Sequence, residues 1–353
     1  MTLHFSSPQR RLPAIVAAAV TVIVAVGLVL VVAIPHLISS SGQQSLFVNP
    51  NPGLAAAAQQ FDQRGDHGKA VALRKIAAQP AALWAAGQPG DIAQVRQYTR
   101  EAMAVHKVGV VVAYNIPRRD PCGQHSATND MTPTSYQQWI HQLAAAIGAS
   151  DDIVIVEPDA LPDMLPERGC NFSTSDAAER MQLLQYAMQT LGGLPHAQVY
   201  LDAGNPGMIS DPHVMAAALI QAGIEYGSGF SINVSNFYRT SDMVVWAHQI
   251  ESALSQLGAR VAHQAQNPRG RVQLKAVIDT SRNGNGTAAH LDWCNPPGRA
   301  LGDAPTLTPG QPGITAYLWI KDPWASDGTC RGGPLAGNPW YPYAAGLAAG
   351  NSP

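Results

Sequence analysis

The chain has 353 residues, of which 46% are hydrophobic, and its 22 basic and 24 acidic side chains nearly balance. A chain of this length can bury a large core, as one large α/β domain or as two smaller ones. The low charge and the lack of a basic run after the first dozen residues exclude nucleic acid as the expected partner, and the composition is that of an ordered protein.

The first patterned segment is strongly apolar. Residues 14–38, AIVAAAVTVIVAVGLVLVVAIPHLI, contain no Asp, Glu, Lys or Arg, and a helix of that length can cross a membrane. Because Arg10 and Arg11 precede this segment, we expect a cytoplasmic N-terminus at 1–13, a transmembrane signal anchor at 14–38 and an extracytoplasmic remainder. The alternative is a cleaved signal peptide, which would leave the remainder secreted.

Residues 39–53, SSSGQQSLFVNPNPG, have the composition of a linker, so we place the folded domain at 54–353. The domain contains four cysteines, at Cys122, Cys170, Cys294 and Cys330, without a CxxC pair. An even number of cysteines in an exported domain predicts two disulfides, for which three pairings are possible.

Short apolar runs alternate with amphipathic segments along the whole domain. The runs are AALWAA (81–86), VGVVVAYNI (108–116), IVIVEP (153–158), AQVYLDAG (197–204), GFSINVSN (229–236), LKAVIDTS (274–281) and TAYLWIKDP (315–323). The segments between them, such as DIAQVRQYTREAMAVH, have helical spacing. Repeated βαβ units predict an α/β fold, a distorted seven-stranded parallel (β/α) barrel of TIM-like type, preceded by the N-terminal anchor helix.

Polar side chains follow nearly every predicted strand. In a parallel barrel the C-terminal ends of the strands meet at one face, which is where such folds place their active sites. Helix capping by Asp and Asn is an alternative explanation for part of this set. The set comprises Trp84, Tyr114, Arg119, Asp120, Glu157, Asp159, Asp202, Asn233, Asn236, Asp279, Ser281, Arg282, Lys321 and Asp327.

Several kinds of chemistry lack the residues that they require. The eleven histidines are scattered without metal-ligand spacing, and neither a GxSxG motif nor a glycine-rich phosphate loop is present, so we expect no metal and no cofactor. What remains is a surplus of carboxylates with aromatic residues at one face. Glycoside hydrolysis needs this combination, because it uses a protonated acid, a second carboxylate and flat rings that stack on sugars.

Two stretches are the most distinctive, VVAYNIPRRDPCGQHSA (111–127) and IVIVEPDALP (153–162). Both resemble signatures of glycoside hydrolase family 6, the cellulases that cut β-1,4-glucan with inversion. Further matches follow in family order at VYLDAG, GFSINVSNFY, VIDTSRNGNG, DWCNPPGRALG and YLWIKDPWASDGTC. The resemblance runs from about Asn49 to the end. It implies an endo-acting β-1,4-glucanase, which we expect to be a monomer that binds β-1,4-glucan polysaccharide or oligosaccharide.

The resemblance also implies roles for individual residues. Asp159 matches the general acid, Asp120 a second carboxylate that raises the pKa of the acid, Asp202 a third acid near the cleavage position, and Asp327 the catalytic base. Glu157 matches a structural position. The substrate-binding positions are expected to be Trp84, Tyr114, Arg119, Ser126, Asn233, Trp293 and Lys321. The implied disulfides are Cys122–Cys170 and Cys294–Cys330.

The sequence also departs from the family pattern. Pro121 separates Asp120 from its cysteine, Ala325 stands where a Glu is usual, and Asn205 and Met208 replace a His and a Trp. The end of the serine loop is altered as well, to SATND. Two alternatives therefore stay open: a catalytically weakened carbohydrate-binding surface protein on the same barrel, and a hydrolase of another β-glucan.

Overall fold

The computed structural model describes residues 44–123, 125–126, 130–259, 274–287 and 292–353. Seven parallel strands form one sheet, in which strands that are consecutive in sequence are neighbours in space. The strands are β1 Leu83–Ala85, β2 Val110–Ala113, β3 Ile153–Val156, β4 Gln198–Asp202, β5 Gly229–Ile232, β6 Lys275–Asp279 and β7 Ile314–Leu318. All seven predicted strands and their parallel pairing are confirmed.

Helices connect the strands, as the βαβ pattern predicts. They are α1 Pro52–Gln63, α2 His67–Ala77, α3 Asp91–Ala104, α4 Pro133–Ile147, α5 Ala160–Asp163, α6 Thr174–Gly192, α7 Pro212–Gln221, α8 Thr240–Gln256 and α9 Tyr341–Ala348. Their starts follow local rules. For example, Thr132 and Ser135 form a capping box around Pro133 at the start of α4, and Ser173 caps α6.

Alternate residues of each strand face two different cores. Val110 and Val112 of β2 pack inside the curled sheet with Tyr200 and Ala316, whereas Val111 packs outside against the helices. Because side chains alternate across a strand, fully apolar runs such as IVIV at 153–156 supply both cores at once.

The sheet is a curled half-barrel, and this corrects the prediction of a TIM-like barrel in its closure. Among the described residues, no strand ladder joins β7 to β1. In the described ranges, the two edges are joined by hydrogen bonds at the end of β7, where Ala82 N donates to Trp319 O at 3.0 Å and Trp84 Nε1 donates to Ile320 O at 2.7 Å. β1 has three residues, and all three pair with β2.

A third core covers the β7 edge of the sheet. Leu54 of α1 and Leu73 and Ile76 of α2 are fully buried against Trp319 and against Ala344 of α9. The first two helices and the last helix of the domain therefore share one core beside the last strand.

Parts of the predicted N-terminal organisation lie outside the described residues, namely the cytoplasmic segment 1–13 and the anchor or signal peptide 14–38. The predicted linker at 39–53 is described only from Gln44 onward, where Leu46 forms a parallel bridge with Val108 and Phe47 is buried. In the described ranges, no helix is both long enough and apolar enough to cross a membrane.

Candidate active site

A cleft of about 700 Å³ lies at the C-terminal ends of the strands. This is the face at which the polar strand ends were expected to meet. Most of the predicted site residues line the cleft: Trp84, Tyr114, Arg119, Asp120, Ser126, Asp159, Trp293, Lys321 and Asp327. Asp202 and Asn233 do not line it.

Asp159 stands at the cleft wall immediately after β3. Its backbone adopts a left-handed conformation with a φ of 66°, which turns the chain sharply from the strand into α5. Burial raises the pKa of its carboxyl well above the usual range, and the neighbouring carboxylates of Asp163, Asp202 and Asp120 raise this pKa further. The raised pKa favours the protonated form of the Asp159 carboxyl.

Asp202 lies behind Asp159 and is fully buried. Its Oδ2 accepts hydrogen bonds from the backbone N–H groups of Asp159 (2.9 Å) and Gly204 (3.0 Å), and its Oδ1 accepts one from the Ser231 hydroxyl (2.9 Å). Burial raises the pKa of this carboxyl to about 7. Asp202 thus holds the backbone of the acid in place and does not reach the cleft.

Glu157 is also fully buried, two residues before Asp159. Its carboxylate accepts hydrogen bonds from the backbone N–H groups of Asn115 and Ile116 and from the Tyr136 hydroxyl, all at 3.0–3.1 Å. These contacts tie the end of β3 to the chain that follows β2, so the arrangement supports the structural role expected for Glu157.

Asp120 lies in the loop after β2, the strand next to β3, and lines the same cleft. Its carboxylate accepts hydrogen bonds from the backbone N–H groups of Gly123 (2.9 Å), His125 (2.9 Å) and Ser126 (2.7 Å), so one side chain shapes the loop that carries the serine. The backbone of Asp120 is left-handed as well, with a φ of 50°. Such conformations at several strand ends are typical of functional sites.

An aromatic and cationic wall stands next to this loop. The Trp84 and Tyr114 rings meet edge to face with centroids 5.3 Å apart. The Arg119 guanidinium lies 5.0 Å from the Tyr114 centroid and donates to the carbonyl oxygens of Ala86, Tyr114 and Ser126. Arg119 is thus mainly a brace for the wall, while the two rings supply a surface on which a sugar can stack.

Asp327 is an anion held between two cations. Its Oδ2 accepts from Arg282 Nη1 (2.9 Å) and from the backbone N–H of Asn295 (3.0 Å), and its Oδ1 lies 3.2 Å from Lys321 Nζ. Burial alone would raise the pKa of this carboxyl, but Arg282 and Lys321 outweigh burial and hold the pKa below its usual range.

Asn233 was expected to bind substrate, and its contacts oppose that expectation. It is fully buried, its amide donates to the carbonyl oxygens of Asp279 and Tyr238, and its Oδ1 accepts from Tyr238 N. Every polar atom of the side chain is therefore engaged in holding the loop after β5.

Trp293, in contrast to Asn233, is exposed, with 36% of its surface accessible to solvent. Its ring meets that of His125 edge to face at 5.3 Å, so the segment that carries Trp293 touches the loop shaped by Asp120.

The three substituted positions all line the cleft. Ala325 and Met208 are 7% and 8% exposed, and the Oδ1 of Asn205 accepts from Gly207 N at 3.0 Å. The wall formed by Asn205, Gly207 and Met208 therefore offers a thioether where an aromatic ring was expected.

Sequence reasoning missed several residues of the site. Asp163 lines the cleft one helical turn after Asp159, and this spacing of two acids is the signal that could have revealed it. Asn295 exchanges two hydrogen bonds with Asp327 across 32 residues, a separation that no local pattern reports. Arg282 was identified as a strand-end residue, but its ion pair with Asp327, 45 residues away, was not predicted.

The two disulfides are confirmed as Cys122–Cys170 and Cys294–Cys330. Cys122, Asp163 and Cys170 lie close enough together to suggest a metal site in the described part of the chain. Metal binding requires thiolates, however, and both cysteines are oxidised in the disulfide.

Comparison with known proteins agrees with this geometry. The family model described as glycosyl hydrolases family 6 matches residues 41–351. Endoglucanase 1 of Streptomyces sp. (strain KSM-9) is 38% identical over 275 residues, which are 76% of this chain and 69% of that protein. Endoglucanase A of Cellulomonas fimi is 38% identical over 280 residues, or 78% of this chain, and the match spans 55% of that longer protein.

A solved structure of an endoglucanase is also similar to this chain. The endoglucanase Cel6 from Mycobacterium tuberculosis, in complex with methyl-cellobiosyl-4-deoxy-4-thio-β-D-cellobioside, matches with a TM-score of 0.75 and 36% identity. The match covers 88% of this chain and 98% of that one. With a family match over most of its length and relatives at this level of identity, the chain belongs to glycosyl hydrolases family 6.

Proposed function

We propose that the protein is an endo-acting β-1,4-glucanase that hydrolyses β-1,4-glucan with inversion. The observation that carries the proposal is the carboxyl of Asp159, which lines the cleft and has three other carboxylates among its neighbours. A carboxyl kept protonated at a cleft wall can donate its proton to the glycosidic oxygen of a bound glucan. The similar proteins named endoglucanase, at 38% identity, support the same activity.

An inverting hydrolase also needs a carboxylate that takes a proton from the attacking water. Asp327 was the expected base, but an anion held by Arg282, Lys321 and Asn295 N is a weak base. We assign the proton acceptor to Asp120, which lines the cleft beside Ser126. Its oxygens accept hydrogen bonds from neutral backbone N–H groups, whereas those of Asp327 are paired with two cations, and a water can relay the proton. Asp327 then serves as a fixed negative charge that orients Lys321 at the substrate.

The substrate assignment rests on the aromatic wall. Trp84 and Tyr114 can stack on sugar rings on one side of Asp159, and Trp293, being exposed, can stack on another. Lys321 Nζ can donate to sugar hydroxyls because it already lies at the cleft surface beside Asp327. We also propose a monomer as the working unit, because every residue assigned to catalysis or sugar stacking belongs to the same chain.

For its location, we propose an exported catalytic domain that is membrane-anchored by residues 14–38, or secreted if that segment is cleaved. Two disulfides support an oxidising compartment, because cytosolic thiols are kept reduced. Detection of the intact N-terminus in the membrane fraction would support the anchor, whereas a mature chain that begins after residue 38 would support cleavage.

A second candidate is a hydrolase of a different β-glucan. It is favoured by Met208 and Asn205, which leave one side of the cleft without the aromatic ring expected there. Rates on carboxymethyl-cellulose and on mixed-linkage β-glucan, compared at equal concentrations, distinguish the two substrates.

The decisive test is release of reducing ends from carboxymethyl-cellulose by the purified protein and by its Asp159→Asn variant. We expect activity only in the wild type, with α-configured products by anomer-resolved NMR. A wild type that binds cello-oligosaccharides without cleaving them would favour the carbohydrate-binding alternative. A β-configured product would contradict inversion.

A further inference from the structure

Asp163 lines the cleft but has no role in the mechanism proposed above. It lies at the C-terminal end of α5, and its backbone N–H donates to the carbonyl oxygen of Asp159 at 2.9 Å. The two acids are therefore separated by one helical turn on the same short helix. Only 4% of the Asp163 side chain is exposed.

Asp163 has a cationic partner in the same wall. Arg168 Nε donates to its Oδ1 at 3.3 Å, and the Sγ of Cys170 lies 3.7 Å from that oxygen. Arg168 itself lines the cleft with 31% of its side chain exposed. Cys170 follows Arg168 by two residues and forms a disulfide with Cys122. The disulfide therefore restricts the movement of the segment that carries the ion pair.

Other charges face the two acids from each neighbouring element. Asp202 approaches Asp159 from β4, and Asp120 approaches both acids from the loop after β2. Arg180 of α6 interacts with Asp163, but its guanidinium already donates to the carbonyl oxygens of Ala160, Pro117 and Arg118. Arg168 is thus the cation that is both ion-paired to Asp163 and in the cleft wall.

We propose that Asp163 and Arg168 are a pair of positioning residues which set the proton occupancy of Asp159, with Asp163 favouring its protonated form and Arg168 opposing it. The inference rests on the proposed function, because it takes Asp159 as the general acid. Asp163 need not touch the substrate in this role. It acts through space, across one turn of α5.

The electrostatics of the cluster support the same assignment. After burial, Asp163 is the strongest of the influences that raise the pKa of the Asp159 carboxyl, and Arg168 lowers that pKa. Burial raises the pKa of Asp163 itself to about 6, against the opposing effects of Arg168 and Arg180. The two acids therefore titrate as an interacting set, and a change of charge at either partner of the ion pair should reach Asp159.

The test is the pH profile of kcat/KM on carboxymethyl-cellulose, in which the alkaline limb reports loss of the proton from the free enzyme's acid. Asp163→Asn removes a negative charge, which makes Asp159 easier to ionise, so we expect the limb to move to lower pH by about one unit. Arg168→Gln removes a positive charge, so the limb should move to higher pH. Its shift should be smaller, about half a unit, because Arg168 is partly exposed to solvent. Arg168→Lys restores the cation and should return the limb most of the way to the wild-type position.

Two controls keep the result specific. Arg118→Gln removes a nearby cation that pairs with Asp176 and Glu179 outside the cleft, and it should leave the limb in place. Asp159→Asn tests the proposed function separately: if that variant stays active, the assignment of the acid fails, whatever the other variants do. If Asp159→Asn is inactive, opposite shifts in Asp163→Asn and Arg168→Gln support the inference. Shifts in the same direction, or none in either variant, overturn it.

Discussion

The backbone N–H of Asp159 donates a hydrogen bond to Oδ2 of Asp202 at 2.9 Å, across the gap between the ends of β3 and β4. Asp202 in turn is fixed by Ser231 on β5 and by the backbone of Gly204. Three consecutive strands therefore determine where the carboxyl of Asp159 stands. A residue that never reaches the cleft sets the position of the acid that lines it.

The different roles of Asp159 and Glu157 can be tested by replacing each with its amide. We expect Asp159→Asn to lower kcat on carboxymethyl-cellulose by about 10²–10⁴-fold, the usual loss when a general acid is removed, while binding of cellotetraose by calorimetry is retained. Glu157→Gln should keep most of the activity. Its carbonyl oxygen can still accept from Asn115 N and Ile116 N, and Tyr136 can turn to accept from the new amide, so the loss in unfolding free energy should be about 1 kcal/mol. A Glu157→Gln variant as inactive as Asp159→Asn would contradict this division.

The buried carboxyl of Asp202 predicts how stability depends on pH. Its pKa is raised by burial to about 7 in the folded protein, so the folded state holds a proton that the unfolded state has already lost above about pH 4. This contribution to the unfolding free energy is complete below the unfolded pKa and is lost as the pH rises through about 7, by about 4 kcal/mol at most.

The variant that tests this dependence is Asp202→Asn. Its carbonyl oxygen can accept from Asp159 N and Gly204 N while the Ser231 hydroxyl turns to accept from the amide, so the variant should fold. Urea unfolding between pH 4 and pH 8 should then show a flatter pH profile than the wild type. Ser231→Ala leaves the carboxyl in place and should keep the slope. Equal slopes in wild type and Asp202→Asn would exclude this titration as a source of pH dependence.

Much of the fold is encoded locally. Runs such as IVIV at 153–156 are buried on both faces, and the segments between runs have helical spacing, so strand order and parallel pairing follow from general rules of βαβ chains. The lack of closure does not follow, because it depends on how the two edge strands meet, at the hydrogen bond from Ala82 N to Trp319 O. This long-range contact has no local signature in the sequence.

The site was predictable to a similar extent. Position at a strand end identified Asp120, Asp159 and Asp327, since all parallel strands end at one face. Position at a strand end could not distinguish residues that line the cleft from residues that are buried in the interior. Asn233 also follows a strand, yet its amide is directed at Asp279 O, which lies 46 residues away in sequence. Whether a strand-end residue faces substrate or braces a loop is decided by such long-range hydrogen bonds.

The ion pair of Asp327 predicts a large loss of stability on mutation. In Asp327→Asn, the fully buried guanidinium of Arg282 loses its anionic partner, and leaving one charge of a buried pair unmatched costs about 3–5 kcal/mol. The pair also has a pH signature, because the pKa of Asp327 is lowered in the folded protein. Its stabilisation is present above the unfolded pKa of about 4 and is lost as the pH falls through the folded pKa.

Urea denaturation at pH 7 and at pH 3 measures both effects of Asp327→Asn. We expect the difference from wild type to be large at pH 7 and to shrink at pH 3. Asp176→Asn, which removes an exposed partner of Arg118, is the matched control and should change stability little at either pH. A difference that stays the same at both pH values would show that Asp327 stabilises the fold by packing and not by charge.

The Cys122–Cys170 disulfide joins the loop shaped by Asp120 to the segment that follows Asp159, Asp163 and Arg168. Its loss should therefore lower activity as well as stability. For cysteines 48 residues apart, the chain-entropy estimate of the lost stability is about 4 kcal/mol. In the double variant Cys122→Ser and Cys170→Ser, assayed well below its melting temperature, we expect kcat to fall more than KM rises. The reason is that the loop that carries Asp120 and Ser126 is freed while the wall at Trp84 stays intact.

The matched control, Cys294→Ser with Cys330→Ser, frees the segment next to Trp293 and should mainly raise KM. If both double variants lose stability but keep wild-type kcat, the disulfides support the fold alone and the geometry of the acids does not depend on them.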